Sequence, residues 1–305
     1  MRYALHCGIY VHGCGALASR ALAAIALYCL LGAALLRAQT PSAPPPSQPV
    51  PVASNSASSV ANAVPGAAPA LPPALLLARR NVANYFAAEA NMVCAESVTQ
   101  AILGNNNKPF YRENSEYEYQ LQVTKDDSTF KLVESREPLK ASFRDPTRTL
   151  LITKGFTSML LIVHSDYENS YTFEPDGEET EDGLTLARIR FKAVPGASSP
   201  AAMQLRGRSY PVPLSGTLWI DSKTGAVAKV IASVDSSMSD LGLKEMRSEI
   251  HYALIQFHDP EEAYWMPISA TIDVETPRQH WRNVHRFGRC RRFRATVKID
   301  VEKTQ

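Results

Sequence analysis

From Glu116 to Val123 the chain alternates without a fault: Glu, Tyr, Glu, Tyr, Gln, Leu, Gln, Val. Successive side chains of a strand point to opposite faces. One face here is therefore Tyr117, Tyr119, Leu121 and Val123, and the other is acids and amides. A helix of this sequence would wrap polar groups around its whole surface, so the pattern demands a sheet with one wet side. Asp126-Asp127-Ser128 supplies a turn and Thr129 to Ser135 a returning partner. Sheets with one solvated face are antiparallel, because parallel sheets are covered on both sides.

The same period recurs downstream. Leu184 to Val194, Gly216 to Asp221, Ala226 to Val234, Ser248 to His258, Ile268 to Thr276 and Asn283 to Val301 all read as strands. Between the second and third lies Ser222-Lys223-Thr224-Gly225, a short loop ending on a glycine suited to positive φ. Short turns between strands imply a meander. Pro72-Pro73 open a helical stretch, 74–90, with Leu75, Ala78, Val82, Tyr85 and Phe86 on one face. A second short helix is expected at 155–164. Six acids among residues 174–182, with Pro175 and Gly177, read as a solvated loop. They do not match the helix-flanked calcium loop.

Two segments precede this domain. Arg20 leads into a charge-free apolar run, Ala21 to Leu36, and small Ala38 follows. That is the order of a secretory leader, and about 16 apolar residues fall short of the ~20 of a membrane span. An uncleaved anchor is the alternative, and it would keep the protein at a membrane. Residues 39–72 are rich in Pro, Ala and Ser and carry no charge. They form no packed core and read as a disordered linker. The expected organisation is residues 1–38 as leader, 39–72 as linker and 73–305 as the domain, exported to the periplasm or cell envelope.

Removing the leader changes the chemistry of the chain. The 32 basic and 30 acidic residues of the full chain become 29 against 30 when Arg2, Arg20 and Arg37 leave. Net charge then gives no support to nucleic-acid binding, which export also disfavours. Of five cysteines, Cys94 and Cys290 stay. In an oxidising compartment they either pair or remain two separate buried thiols.

The meander, the hairpin GTLWIDSKTGAVAKV, the strand YWMPISATIDVET and the closing RFGRCRRFRATVKID together resemble uncharacterised exported bacterial proteins over about residues 74–300. Those in turn resemble the periplasmic lipoprotein-carrier superfamily, which sorts outer-membrane lipoproteins. The stretch Asn91-Met92-Val93-Cys94 resembles the segment that follows the first helix in those exported proteins, which places Cys94 at the start of the first strand. The resemblance implies an α+β fold, mostly β: a curved antiparallel sheet, or open half-barrel, with an N-terminal helix and a short covering helix. It also implies an apolar cavity that takes acyl chains. No ligand-binding residue of the carriers maps onto a position here.

No local motif names a reaction. There is no GxSxG elbow, phosphate loop or HExxH, and the histidines His164, His251, His258, His280 and His285 have no metal spacing. The reading is non-enzymatic, with no cofactor and no metal. Tyr117, Tyr119, Trp219, Phe257, Tyr264 and Trp265 are candidates to line a ligand cavity, with core packing as the alternative. Arg282, Arg286, Arg289, Arg291, Arg292 and Arg294 run without an intervening acid. They form a candidate basic face for an anionic envelope component or a protein, with a plain solvated strand face as the alternative. Two functions follow: binding of a lipid or lipoprotein acyl chain in the half-barrel, or a tethered envelope scaffold that uses the basic face.

Overall fold

The computed structural model describes residues 7–11, 71–88, 91–126, 129–139, 151–205, 208–258 and 261–293. Of the linker expected at 39–72, residues 39–70 lie outside these, as do most of the leader, Arg294 and the end of the last predicted strand. Strand β1 (Cys7–Val11) comes first, then helix α1 (Pro73–Ala87). β2 (Met92–Leu103), β3 (Pro109–Asp126), β4 (Thr129–Pro138) and β5 (Leu151–Thr153) follow. A 3-10 helix at Ser158–Val163 leads to β6 (Tyr171–Glu181), β7 (Leu184–Ala193), β8 (Ala201–Leu205) and β9 (Arg208–Pro211). The chain closes with β10 (Leu214–Asp221), β11 (Val227–Val234), β12 (Glu245–His258), β13 (Glu261–Glu275) and β14 (His280–Arg292).

Ten strands form one curved, open antiparallel sheet in the order β4-β3-β2-β14-β13-β12-β11-β10-β7-β6. The meander from β10 to β14 runs in sequence, and β14 then pairs with β2, joining the two ends of the domain. A smaller sheet, β5-β1-β8-β9, is separate. In it β1 pairs antiparallel with β5 and parallel with β8.

Period two sets the inner face. Tyr119, Leu121 and Val123 are buried on β3, as are Leu218 and Ile220 on β10, and Ile272 and Val274 on β13. Two helices cover that face. α1 starts with proline at its first position, where the missing N–H costs nothing. It buries Leu75, Ala78, Val82 and Phe86, three or four residues apart. Phe86 stacks on Phe130 of β4, with ring centroids 4.8 Å apart. The 3-10 helix is buried along its whole length, from Ser158 to Val163. The predicted fold class, a mostly β open sheet with an N-terminal helix and a short covering helix, is the observed one.

Two readings of the sequence need correction. The acid-rich 174–182 stretch is not a loop. Most of it is edge strand β6, with a bulge between Pro175 and Glu178. Its carboxylates meet cations of the same sheet: Glu174 lies 3.1 Å from Arg190 on adjacent β7, and Glu181 3.2 Å from Lys229 on β11. Charges and a bulge on an edge strand block edge-to-edge association, so an acidic composition is compatible with strand there. The last strand, expected from Asn283, starts three residues earlier, since β14 begins at His280.

Candidate functional site

An open concavity lies where the C-terminal half of α1 passes the β10–β11 turn and β13. It has a volume of about 350 Å³. α1 contributes Asn81, Val82, Asn84, Tyr85 and Ala88; the turn contributes Gly225 and Val227; β13 contributes Tyr264 and Trp265. The wall is mainly apolar and aromatic, with asparagines on the helical side. Volume and lining both lie within the range of small-molecule pockets. Tyr85 and Tyr264 meet edge to face at 6.0 Å. The Tyr85 hydroxyl donates to the Met266 sulfur at 3.4 Å, and burial raises its pKa well above that of an ordinary phenol, so it stays protonated.

The turn is shaped to admit the helix. Gly225 has φ +75, and a Cβ there would sit 2.4 Å from Leu77 Cβ and 2.7 Å from the Leu77 carbonyl carbon. The Asn81 side-chain amide donates to the Thr224 carbonyl at 2.7 Å, fastening helix to turn. The Asp221 carboxylate in turn accepts the Lys223 N–H at 3.1 Å and the Thr224 hydroxyl.

The structure distributes the candidate aromatics. Trp265 and Tyr264 line the pocket. Phe257 is buried against Tyr264, with centroids 6.0 Å apart, one ring behind the wall. Tyr119 is fully buried and donates to Glu134 at 2.6 Å. Tyr117 is half-buried, near the Arg136 guanidinium. Trp219 alternates with inward Leu218 and Ile220 and so lies on the outer face, where the Lys229 ammonium sits 4.3 Å from its ring centroid. The pocket residues from α1 and the turn were not singled out from sequence. Their signal was an asparagine pair, Asn81 and Asn84, flanking the apolar face of the helix.

A buried polar cluster lies elsewhere on the inner face. Glu96 Oε1 is 2.8 Å from His285 Nδ1, and His285 Nε2 is 2.7 Å from the Thr153 hydroxyl. Arg136 donates through Nε to Glu96 and through Nη1 to the Thr153 carbonyl, each at 2.5 Å. Asn283 and Gln100 both donate to the Leu151 carbonyl, at 2.8 and 2.6 Å. Glu134 accepts the backbone N–H groups of Gly155, Phe156 and Ser158, all at 3.0 Å. Burial holds the His285 imidazole below its ordinary value of 6.5, so it is neutral: Nδ1–H donates to Glu96, and Nε2 accepts from Thr153.

Hydroxyl, imidazole and carboxylate thus stand in the order of a nucleophilic relay. Thr153, however, is only 2% exposed. The apolar cavity beside it is about 30 Å³, room for about one water. In this arrangement the cluster fastens the segment 151–158 to the sheet.

The arginine run divides. Arg282 pairs with Asp273 at 2.7 Å and Arg291 with Glu118 at 3.0 Å. Arg286 and Arg289 are exposed, with no acidic partner among the described residues. A bulge between Gly288 and Arg291, with Arg289 at φ +49, shifts the alternation. Arg292 therefore falls opposite buried Met92, with 11% of its side chain exposed, and pairs with Glu262. It stands apart from the basic face to which the sequence assigned it. Arg294 lies outside the described residues. In the same bulge Cys290 is disulfide-bonded to Cys94 of β2.

Among the described residues no helix is long and apolar enough to cross a membrane, and no cluster of three metal-ligating side chains occurs. Comparison of the sequence with protein-family models and with curated proteins returns no match. Among solved structures the chain is similar to a DUF1329 family protein from Desulfovibrio piger at 13% identity, covering 72% of this chain and 91% of that one, with a TM-score of 0.38. It is similar to a LolA superfamily protein from Nitrosomonas europaea at 10% identity, covering 73% and 94%, with a TM-score of 0.37. An outer membrane lipoprotein-sorting protein domain from Vibrio parahaemolyticus aligns at 10% identity over 72% and 95%, with a TM-score of 0.32.

Proposed function

We propose that this is an exported, non-enzymatic envelope protein that binds an apolar ligand, a lipid or an acyl chain, in the pocket between α1 and β13. The observation that carries the reading is the pocket: about 350 Å³, open, and walled by Val82, Tyr85, Val227, Tyr264 and Trp265. An apolar pocket of that size with polar groups at its edge suits a ligand held by burial and oriented by a few hydrogen bonds. Its position differs from the centre of the half-barrel. There α1 and the 3-10 helix fill the concave face, and the cavity beneath the small sheet holds about one water.

Native mass spectrometry of the protein after mild extraction tests this reading, together with titration by a fluorescent fatty acid. A co-purified lipid, or saturable binding, is expected. Ala88→Trp places a large side chain at the exposed mouth of the pocket and should weaken binding by about tenfold. Absence of both lipid and probe binding would leave the scaffold reading. Exposed Arg286 and Arg289 are the residues that favour it, through their capacity to bind anionic groups.

A further inference from the structure

We propose that the position filled by strand β1 is a docking slot for an extended segment of a partner polypeptide. Strand β1 is made of Cys7–Val11, ahead of the apolar run 21–36. On the reading that export removes residues 1–38, that strand leaves with them. What stays behind is a gap between two strands, each with an open edge.

Both walls of the gap are held without β1. β5 has no other strand partner among the described residues, yet side chains of the large sheet fix it from behind. Gln100 and Asn283 hold the Leu151 carbonyl, and Arg136 holds the Thr153 carbonyl. A strand turns successive backbone groups to opposite edges, so Ile152 is left facing the gap. On the other side, β8 is paired with β9, and the Ala201 carbonyl accepts the Val212 N–H at 2.9 Å. By the same alternation Ala202 and Gln204 present their N–H and C=O to the gap.

The occupant in the structure defines the chemistry of the partner. β1 pairs through five positions parallel to β8 and three antiparallel to β5. Its sequence, Cys-Gly-Ile-Tyr-Val, carries no charge. The partner segment is therefore an uncharged, largely apolar strand of about five residues that enters by adding itself to a sheet, with main-chain hydrogen bonds to both walls. Unpaired backbone at both edges is costly when shielded from water, which favours filling.

The test uses the protein purified from the envelope of producing cells, its N-terminus read by intact mass. A fluorescent synthetic peptide of residues 5–13, with Cys7→Ser, is then titrated into it. Saturable micromolar binding is expected, with slowed amide hydrogen exchange at 151–153 and 201–205. Gln204→Pro removes a donor facing the gap and leaves the β9 side intact, so it should weaken binding by about tenfold. Ile152→Pro does the same from the opposite wall and serves if the first variant fails to fold. Retention of residues 7–11 in the envelope protein overturns the proposal. So does absence of binding, binding without protection at those two strands, or unchanged binding by the proline variants. Lipid binding at the α1 pocket is read separately with the fatty-acid probe, so failure of one result leaves the other standing.

Discussion

His285 Nδ1 lies 2.8 Å from Glu96 Oε1, and both side chains are almost completely shielded from solvent. They come from adjacent strands, β14 and β2, and Arg136 of β4 reaches over to the same carboxylate. An ionised carboxylate in this position is stable because a cation and an imidazole N–H satisfy its oxygens. Glu96→Ala should destabilise the domain by about 3–5 kcal/mol, because it leaves Arg136 charged and buried without its partner. Glu96→Gln keeps the shape and one acceptor and should cost less. Urea midpoints of the two variants and the unaltered protein check this, and a Glu96→Gln midpoint equal to that of the unaltered protein would show that the charge is unimportant.

The same histidine makes stability depend on pH in one direction. Its folded-state value is held below 6.5, mainly by burial, with the nearby Arg136 charge adding to the effect. Burial also lowers His164. A histidine held neutral in the fold takes up its proton first in the unfolded chain, so stability is complete above about pH 6.5 and declines as pH falls below it. Each such group contributes up to about 1.4 kcal/mol per pH unit in that window. Urea unfolding at successive pH values from neutral downward should show the decline. It should be shallower in His285→Gln, which keeps a hydrogen-bonding side chain but does not titrate.

Gly225 couples the pocket to the helix. A methyl group there would overlap Leu77, and the positive φ adds strain for any other residue. Gly225→Ala should lower stability by about 1–3 kcal/mol and displace α1 from the turn. Trp265, on the pocket wall, reports the displacement by fluorescence. Asn81→Ala, which removes only the fastening to Thr224, should move the same signal less, by losing about 1 kcal/mol.

What the sequence made legible follows from which interactions are local. The burial of Tyr119, Leu121 and Val123 is written in a two-residue period, and that of Leu75, Ala78 and Val82 in a helical one. The outward position of Trp219 was equally legible, because Leu218 and Ile220 flank it, yet its aromatic identity suggested a cavity. The partners of Glu96 lie 40 and 189 residues away, and no spacing rule links them. The bulge at Gly288–Arg291 reversed the face assigned to Arg292, because one irregular step inverts every side chain beyond it. The strand at 174–181 was hidden by composition. Its acids are stabilised by Arg188 and Arg190 on adjacent β7 and by Lys229 on β11, none of which the local sequence reveals.

The Cys94–Cys290 bond spans 196 residues and joins β2 to the bulge in β14. It links the first and last strands of the large sheet at the point where the ladder is irregular. A cross-link over so long a loop removes much of the freedom of the unfolded chain, and loss of a native disulfide typically costs about 2–5 kcal/mol. Cys94→Ala with Cys290→Ala should lower the denaturation midpoint accordingly. The effect should concentrate where β14 leaves the regular register, so amide exchange at 288–292 should rise more than at 280–286. Reduction of the unaltered protein should reproduce both changes. Uniform exchange along β14 in the reduced protein would show that the ladder, and not the bond, holds the bulge.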